Sequence, residues 1–108
     1  MYGNKCLMNE RQKWFLLLQD IGCIVCLNTF GVRSEPDIHH ILRGKGRIDD
    51  FHTLPLCPSH HRLGENNQLL VSRHPWKKEF EKRYGTEWEL LEQVQKLAQE
   101  MQDSKKIF

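Results

Sequence analysis

The sequence feature that most constrains the fold is a set of cysteines and histidines with the spacing of metal ligands. Cys23 and Cys26 are separated by two residues, and so are Cys57 and His60, with 30 residues between the two pairs. Three thiolates and one imidazole complete the tetrahedron that zinc prefers and leave no coordination position open. The spacing therefore predicts a closed structural zinc site that joins two distant parts of the chain.

Three more histidines lie close to this framework in the sequence. The doublet His39-His40 stands between the two pairs, and His61 directly follows the second pair. Metal-assisted hydrolysis needs a general base and protein ligands around an open metal position, and histidine can supply both near neutral pH. Because His60 and His61 are adjacent, their roles could be exchanged; the two-residue spacing favours His60 in the zinc site.

Other side chains near these histidines are weaker candidates. Glu65, one helical turn beyond His61, could be a further ligand, although a solvated glutamate is the more common case. Asp37 is the carboxylate nearest to the doublet and is not expected to be a ligand. His74, next to Pro75, is expected only to precede a helix.

The composition is that of one small folded domain. Of the 108 residues, 39% are hydrophobic and 28% are charged, so the chain is near the lower limit for a self-sufficient core and a structural metal would contribute to folding. We expect one domain over residues 1–108, with a core at about 22–67 and a helical extension at about 74–102. The net charge of +2 gives little support for a nucleic-acid partner, so such binding would need local basic clusters.

The cysteines also indicate the compartment. Four cysteines could form two disulfides, but three of them share a metal-like pattern with a histidine, and the sequence does not begin with a signal-peptide pattern. The densest apolar patch, Phe15–Leu18, is far shorter than a membrane span. We therefore expect a cytoplasmic protein without membrane association, in which Cys6 is left over as a free thiol.

Residue patterns predict an N-terminal helix followed by two short strands. The helix is expected at about 9–20, ended by Gly22, then a tight turn at 23–26 and a loop to Asp37. The strands are expected at 37–41 and 52–56, joined by a glycine-rich loop at 43–47 without secondary structure. Pro58 suits the first turn of a short helix that follows the second strand.

Two helices are predicted after this core. The first is expected at 75–84, with Trp76 and Phe80 pointing inward. The second is expected from the capping box Thr86–Glu89 to about Gln102. Its inward side chains are predicted to be Trp88, Leu91, Val94 and Leu97.

In these motifs the chain resembles a known superfamily. The order C-x2-C, then IHHI, then LC-x2-H-H over residues 22–67 resembles the HNH nucleases. The resemblance implies an α+β fold with a ββα-metal core, a structural zinc site and flanking N- and C-terminal helices. Within the superfamily, HHI…GKGR…LPLCPSHHR and the tail EKRYGTE resemble the phage recombination-enhancement nucleases, which depend on the host RecA filament.

The resemblance also implies roles for single residues. His40 would be the general base, and His39 and His61 would bind the catalytic metal, expected to be Mg2+ or Mn2+, beside the structural Zn2+. A strictly extended strand would place His39 and His40 on opposite faces, so a twist or bulge is expected there. His52 stands where the superfamily has its middle asparagine, and would orient the base or supply a third ligand.

Basic residues near these motifs are candidates for contact with DNA. Arg43, Lys45 and Arg47 lie in the glycine-rich segment and Arg62 follows His61, so we expect them to contact phosphates. No recognition-helix motif is present, which predicts little sequence specificity. Together with the resemblance, this implies a metal-dependent DNA endonuclease in a bacterial host cell, encoded by a phage or prophage, with the RecA filament as a candidate partner.

A second interpretation comes from a different functional class. The chain could be a catalytically inactive, zinc-stabilised module that binds DNA or RecA, and His52 in place of asparagine and the small net charge favour it. Replacement of His40 by alanine discriminates the two, because only an enzyme would lose cleavage while it keeps DNA binding. A purely structural zinc protein is a third interpretation, and it would have no use for the His39-His40 doublet.

Overall fold

The computed structural model describes the backbone of residues 8–106 and the side chains of residues 8–104, so Cys6 lies outside the described part. The fold is mixed α+β, as the sequence predicts, with helices before and after a small antiparallel sheet. In chain order the elements are α1 (Glu10–Ile21), α2 (Ile24–Phe30), β1 (Asp37–His40), β2 (Leu42–Arg43), β3 (Gly46–Arg47), β4 (Thr53–Leu56), α3 (Pro58–His61), α4 (Lys77–Tyr84) and α5 (Glu87–Lys106).

The central sheet is an antiparallel pair of the two predicted strands. In β1 and β4, Asp37 pairs with Leu56 and His40 pairs with Thr53. The amide of Ile41 extends the ladder by donating to the carbonyl of His52 at 2.9 Å. All four residues of β4 are buried, and α1, α2, α3 and α5 all pack against this strand. The sheet is therefore the inner layer of the molecule.

The glycine-rich segment between the two strands is a small hairpin, so the prediction of a loop without secondary structure is wrong. Leu42 pairs with Arg47 and Arg43 pairs with Gly46. The turn between them begins with Gly44 at φ 63°, a conformation that glycine adopts without steric cost. Glycines that indicate a loop by composition can equally form the tight turn of a hairpin.

A helix occupies the place of the predicted turn at Cys23–Cys26. Residues Ile24–Phe30 form α2, so the predicted loop also begins later than expected. Gly22 has φ 77°, and a Cβ there would lie 2.6 Å from Arg33 Cγ and 2.9 Å from the carbonyl oxygen of Ser34. Only glycine therefore lets the chain turn from α1 into α2 while the segment before β1 passes directly against it.

The C-terminal helices close over the sheet. The capping box at the start of α5 is confirmed, because the amide of Glu89 donates to Thr86 Oγ1 at 3.1 Å and the amide of Thr86 to Glu89 Oε1 at 2.8 Å. The helix continues to Lys106, beyond the predicted end at Gln102. It packs against α1 and β4, and the largest wholly buried side chains of the shared core are Phe80, Leu18, Ile24, Ile41, Leu54 and Leu56.

Two tryptophans do not point inward as predicted. Trp76 is 38% exposed, and Trp88 is 43% exposed. Trp76 precedes α4, which starts at Lys77, and its Nε1 donates to the carbonyl of Gly64 at 3.0 Å, so its ring lies over a surface loop. Trp88 is directed outward because its neighbours Glu87, Leu90 and Leu91 occupy the core face of α5.

The N-terminal helices have the length and the apolar composition of a membrane span. The segment Glu10–Phe30 is long and apolar enough to cross a membrane, a property that the expectation from the patch Phe15–Leu18 missed. In the structure the segment is divided at Gly22 and Cys23, and its side chains Leu18, Ile24 and Val25 are buried in the core. A helix that is buried in a protein core can have the same length and apolar composition.

Candidate metal centres and active site

The first cluster of metal-binding side chains lies between α2 and α3. The Nδ1 atom of His60 is 3.2 Å from the sulfur of Cys57, 3.6 Å from that of Cys26 and 3.7 Å from that of Cys23. The sulfurs of Cys26 and Cys57 are 3.7 Å apart. Tetrahedral zinc, with bonds of about 2.3 Å to sulfur and about 2.0 Å to nitrogen, requires separations of roughly 3.5–3.8 Å between its ligands. These four residues could hold a metal ion such as zinc.

Local structure explains why these ligands converge. Cys23 is the N-cap of α2, and its sulfur accepts a hydrogen bond from the amide of Cys26 at 3.4 Å. Cys57 is the N-cap of α3, whose first residue is Pro58, and His60 lies one turn later. The hydrogen bond from Cys23 lowers the pKa of the Cys57 thiol to about 3, despite burial, so the protein groups alone favour a thiolate here. All four side chains are buried, so the cluster is closed to substrate.

A second cluster contains three histidines from three separate segments. The rings of His39, His61 and His74 have centroids 5.1–5.2 Å apart in every pair, and one ring nitrogen of each lies within 4.8 Å of the others. His39 comes from β1 and His61 from α3, as the sequence analysis required of a shared site. The third member, His74, was expected only to precede a helix; it does so, and in the structure it also lies with His39 and His61.

Backbone pairing accounts for the position of His74. Its amide donates to the carbonyl of His61 at 2.9 Å, and the amide of Arg73 donates to the carbonyl of His60 at 2.8 Å. The segment before α4 is thereby fixed along α3. Glu65, the other ligand considered, instead accepts a hydrogen bond from Asn67 Nδ2 at 3.1 Å and is not a member of the cluster.

Two carboxylates support the histidine cluster from behind. Asp37 Oδ2 lies 3.0 Å from Nδ1 of His61, and the carboxylate of Glu87 is hydrogen-bonded to Nε2 of His39. A carboxylate on the outer nitrogen fixes the tautomer and orientation of a metal-binding histidine. Asp37 contacts His61 in this way and is not a member of the group of three histidines. Sequence reasoning missed Glu87, which lies 48 residues after His39.

The support from Glu87 is buried and carries a counter-charge of its own. Arg73 Nε donates to Glu87 Oε2 at 2.9 Å, and the exposed fractions of the Glu87 and Arg73 side chains are 3% and 9%. Burial alone would raise the pKa of Glu87, but the hydrogen bonds and charges of His39 and Arg73 outweigh it and lower the pKa to about 2. Glu87 is therefore ionised at any physiological pH.

Two histidines of the cluster have lowered pKa values. Burial lowers the pKa of His39, although Glu87 opposes the shift, and burial together with the charge of Arg73 lowers the pKa of His74. Both imidazoles are therefore neutral near pH 7, and neutral imidazole is the form that binds a metal ion.

His40 has a carboxylate partner of its own. Its Nε2 lies 3.0 Å from Asp50 Oδ1, and Arg11 Nε donates to the other oxygen of Asp50 at 2.8 Å. The hydrogen bond with His40 is the main reason why the pKa of Asp50 is lowered, so the carboxylate is ionised at neutral pH. With a proton on Nε2 directed at Asp50, the lone pair on Nδ1 of His40 is available to accept a proton.

The structure gives His52 a different partner from the one predicted. Its Nδ1 lies 2.8 Å from Asp49 Oδ1, which also accepts hydrogen bonds from the amides of Phe51 and His52. This local turn directs the ring toward Trp88, at a centroid distance of 5.8 Å, whereas His40 is held by Asp50. The contact with His40 that was predicted for His52 is therefore made by Asp50.

His39 and His40 line the same cleft although they are adjacent on a strand. The pairing of β1 with β4 runs through both residues without a bulge, and the strong twist of two-stranded ribbons permits this arrangement. The cleft has a volume of about 200 Å³. Its lining consists of Ile38, His39, His40, Leu42, Arg47, His61 and His74.

The four basic residues predicted to contact DNA lie in different surroundings. Arg47 lines the cleft, and Lys45 is exposed in the turn of the hairpin. The guanidinium of Arg43 lies over the ring of Trp88, 5.5 Å from its centroid. Arg62 Nε donates to Asp37 Oδ2 at 2.8 Å, so its charge is shared with the carboxylate that supports His61.

Comparison with known proteins identifies the family. The model of a family described as "Recombination enhancement, RecA-dependent nuclease" matches residues 8–99, from the start of α1 to the last turns of α5. No curated protein matches the sequence significantly. The matched range contains both clusters, the His40–Asp50 pair and the two supporting carboxylates. The chain therefore belongs to the family of recombination enhancement, RecA-dependent nucleases.

Proposed function

We propose that this protein is a divalent-metal-dependent DNA endonuclease of the HNH type, with the histidine cluster as its catalytic metal site. The observation that carries the proposal is the shared cleft, in which the three-histidine cluster lies next to a histidine paired with a carboxylate. The family's description as a nuclease supports the reaction class. The HNH assignment rests on the motifs and on the antiparallel pair β1 and β4 with the short helix α3 packed against both strands.

Three protein ligands with open positions are typical of catalytic rather than structural sites. A divalent ion at His39, His61 and His74 would polarise the scissile phosphate and stabilise the leaving oxygen. The imidazole donors favour Mn2+ or a zinc-like ion over Mg2+, which prefers oxygen ligands. In the same proposal, Cys23, Cys26, Cys57 and His60 hold the structural Zn2+.

The base is His40. Its Nδ1 accepts a proton from the attacking water, and the ionised Asp50 stabilises the imidazolium that results. Asp50 also holds the ring in the tautomer that leaves Nδ1 free. His52, which bonds to Asp49, contributes to the shape of the neighbouring surface rather than to proton transfer.

The substrate would enter over the hairpin β2–β3. Arg47 is the basic side chain in the cleft, and Lys45 and Arg43 continue the positive charge outward. These contacts are with phosphates, which carry no sequence information, so little sequence specificity is proposed. Targeting would come from a RecA filament on DNA, as the family description suggests. The reaction would take place in the cytoplasm of a bacterial cell, with the gene carried on a phage or prophage.

The test is cleavage of supercoiled plasmid and single-stranded circular DNA by the purified protein. The assay is run in Mg2+ and in Mn2+, with and without RecA and ATP, beside the His40→Ala variant. Loss of the base should lower the rate about 10²–10⁴-fold without loss of DNA binding. A requirement for RecA would support directed rather than free cleavage.

The rival is a zinc-stabilised module that binds DNA or RecA without catalysis. One cation of the candidate interface is paired with a carboxylate, Arg62 with Asp37, which favours a binding surface of modest charge. Absence of cleavage under every condition, with zinc bound and the fold intact, would select this module. Cleavage that the His40→Ala variant retains would contradict the role of His40.

A further inference from the structure

We propose that Trp88 and Arg43 form a binding site for an unstacked base and its adjoining phosphate, next to the cleft. The proposal rests on the proposed function, because it assigns this site to the DNA strand that carries the scissile phosphodiester. It adds a positioning contact that lies outside the metal cluster and the His40–Asp50 pair. The ligand is a nucleotide with its base turned out of the helical stack.

The first observation is the exposure of Trp88 itself. The residue lies in the first turn of α5, a helix whose apolar residues otherwise face the core, yet 43% of its surface is open to solvent. Its ring is held from two directions, by the Arg43 guanidinium at 5.5 Å and by the edge of His52 at 5.8 Å. An exposed aromatic ring with a guanidinium beside it is the usual means of binding single-stranded nucleic acid, because every base has a stacking face.

The second observation is continuity with the cleft. Leu42 and Arg47, which pair with each other in the hairpin, both line the cleft beside the histidines. Arg43 is the next residue along β2 and carries the contact to Trp88. The contact between Arg43 and Trp88 therefore begins one residue along β2 from the lining of the cleft.

The charges around this surface match a nucleic-acid strand. The hairpin residues 42–47 contribute Arg43, Lys45 and Arg47 and include no acidic residue, and two carboxylates close to His52 and Trp88 in the sequence accept hydrogen bonds within the protein. Asp49 accepts hydrogen bonds from the His52 ring and two backbone amides, and Glu89 accepts one from the amide of Thr86. These two carboxylates keep their charge, but every charged residue of the hairpin itself is basic, which suits phosphate.

The competing explanation is that Trp88 only braces the hairpin against α5. Bracing alone would make loss of the ring disturb the hairpin and the cleft together, so binding to DNA and integrity of the cleft must be measured separately. A small diester such as bis(4-nitrophenyl) phosphate has no neighbouring base to stack. Its hydrolysis therefore reports on the cleft alone.

The experiment measures the affinity of full-length, zinc-loaded protein for a fluorescein-labelled single-stranded oligonucleotide, by anisotropy, in a His40→Ala background that prevents cleavage. Trp88→Ala should weaken binding about tenfold, and Trp88→Phe should restore most of it. An oligonucleotide with a single abasic site, moved along the strand, should bind the parent protein more weakly at one position. The Trp88→Ala variant should not distinguish that position.

The matched control is Phe30→Ala, which removes another exposed aromatic ring, 58% open to solvent, at the end of α2. It should leave the affinity unchanged. In protein that retains His40, Trp88→Ala should raise KM for the oligonucleotide. Hydrolysis of the small diester and the melting temperature should stay within the range of the Phe30→Ala control.

Two results would overturn the site. One is unchanged affinity in Trp88→Ala, and the other is a loss of affinity that comes only with an equal loss of small-diester hydrolysis and of thermal stability. Failure of the nuclease proposal is recognised independently, because the parent protein would then hydrolyse neither DNA nor the small diester. Binding and its abasic-site dependence would still be measurable in that case.

Discussion

The two clusters of metal-binding residues differ in nearly every property except their position on one short helix. The first consists of three thiols and one imidazole, all buried, with separations of 3.2–3.7 Å that are close to the edges of a zinc tetrahedron. The second consists of three imidazoles that range from buried to exposed and line a cleft. The helix α3 contributes His60 to the first and His61 to the second. Whether a cluster is closed or open to solvent therefore depends on the residues that surround its imidazoles.

The comparison also shows different means of holding the ligands. In the closed cluster, N-cap positions and tight helical turns bring the ligands together within α2 and α3. In the open cluster, carboxylates from elsewhere hold the rings, with Asp37 behind His61 and Glu87 behind His39. An open site cannot rely on saturated coordination for rigidity, so its geometry must come from supporting hydrogen bonds.

The adjacent histidines provide the sharpest test of this comparison and the largest expected effect. His60→Ala should release the structural zinc and lower the free energy of unfolding by on the order of 4 kcal/mol, because loss of a structural metal is among the most destabilising changes. His61→Ala should keep that zinc and most of the stability but abolish cleavage. Zinc content, thermal unfolding and plasmid cleavage measure the three properties. Equal effects of the two substitutions would contradict the division into two sites.

A change at Asp50 tests whether the open site contains a separate base. Asp50→Ala should lower kcat by on the order of 10²-fold, since His40 loses the partner that fixes its tautomer and stabilises its charged form. Metal affinity should not change, because Asp50 does not contact the three-histidine cluster. Asp49→Ala is the matched control, since its partner is His52. A larger loss in the control would return the orienting role to His52.

Glu87→Gln tests whether the carboxylate that contacts His39 affects metal affinity. The substitution should weaken Mn2+ binding at the histidine cluster about 10–100-fold, because the ring of His39 loses its charged partner. Glu92→Gln, an exposed change on the same helix, is the control. Metal titration by calorimetry gives the affinity, and the zinc content of the cysteine cluster should be the same in both variants. An unchanged Mn2+ affinity would show that the bond is not needed to orient His39.

The same carboxylate predicts a dependence of stability on pH. The pKa of Glu87 falls from an ordinary 4.5 to about 2 on folding, so its ionised form stabilises the folded state fully above about pH 4.5. That contribution is lost as the pH falls toward about 2. The difference in unfolding free energy between the parent protein and Glu87→Gln should therefore be largest above pH 4.5 and shrink below it. Denaturant titrations at a series of pH values measure it, and a pH-independent difference would contradict the assigned pKa.

The smallest effect is expected at the basic rim of the cleft. Arg47→Ala should weaken DNA binding several-fold and reduce the slope of log K against log salt by about 1, as loss of one phosphate contact does. Lys96→Ala, an exposed change on α5, should alter neither quantity. Anisotropy titrations at several salt concentrations supply the slopes. Equal slopes for Arg47→Ala and the parent protein would remove Arg47 from the interface.

The sequence predicts what depends on short-range geometry. The two pairs with two intervening residues indicate the cysteine cluster because such a pair binds one metal from a single turn. The capping box at Thr86 predicts the start of α5 because its two hydrogen bonds also lie within a single turn. The positions of His74 and Asp50 were not predictable, since contacts beyond a single turn bring His74 to the cleft and Asp50 to His40. The amide of His74, for example, pairs with the carbonyl of His61.

Glu87 could have been recognised by a signal that the helical pattern contains. The buried residues of α5 that follow it are Leu90, Leu91, Val94 and Ala98, so Glu87 lies on the same face at helical spacing. A glutamate on the apolar stripe of a helix must have a buried partner, because an unpaired buried charge is too costly. The periodicity instead suggested that Trp88 lies on this face. The error is one position: Glu87 is buried and Trp88 is exposed.

The bond between His39 and Glu87 also limits how this protein could be used in protein engineering. Residues 22–67 contain the motifs that resemble the HNH nucleases, yet they lack His74, Glu87 and Arg73. A fragment with these boundaries could keep its cysteine cluster and would still present His39 without a counter-charge. A designer who fuses this domain to a DNA-binding protein would have to transfer the chain through α5. The unit that can be moved is therefore nearly the whole domain.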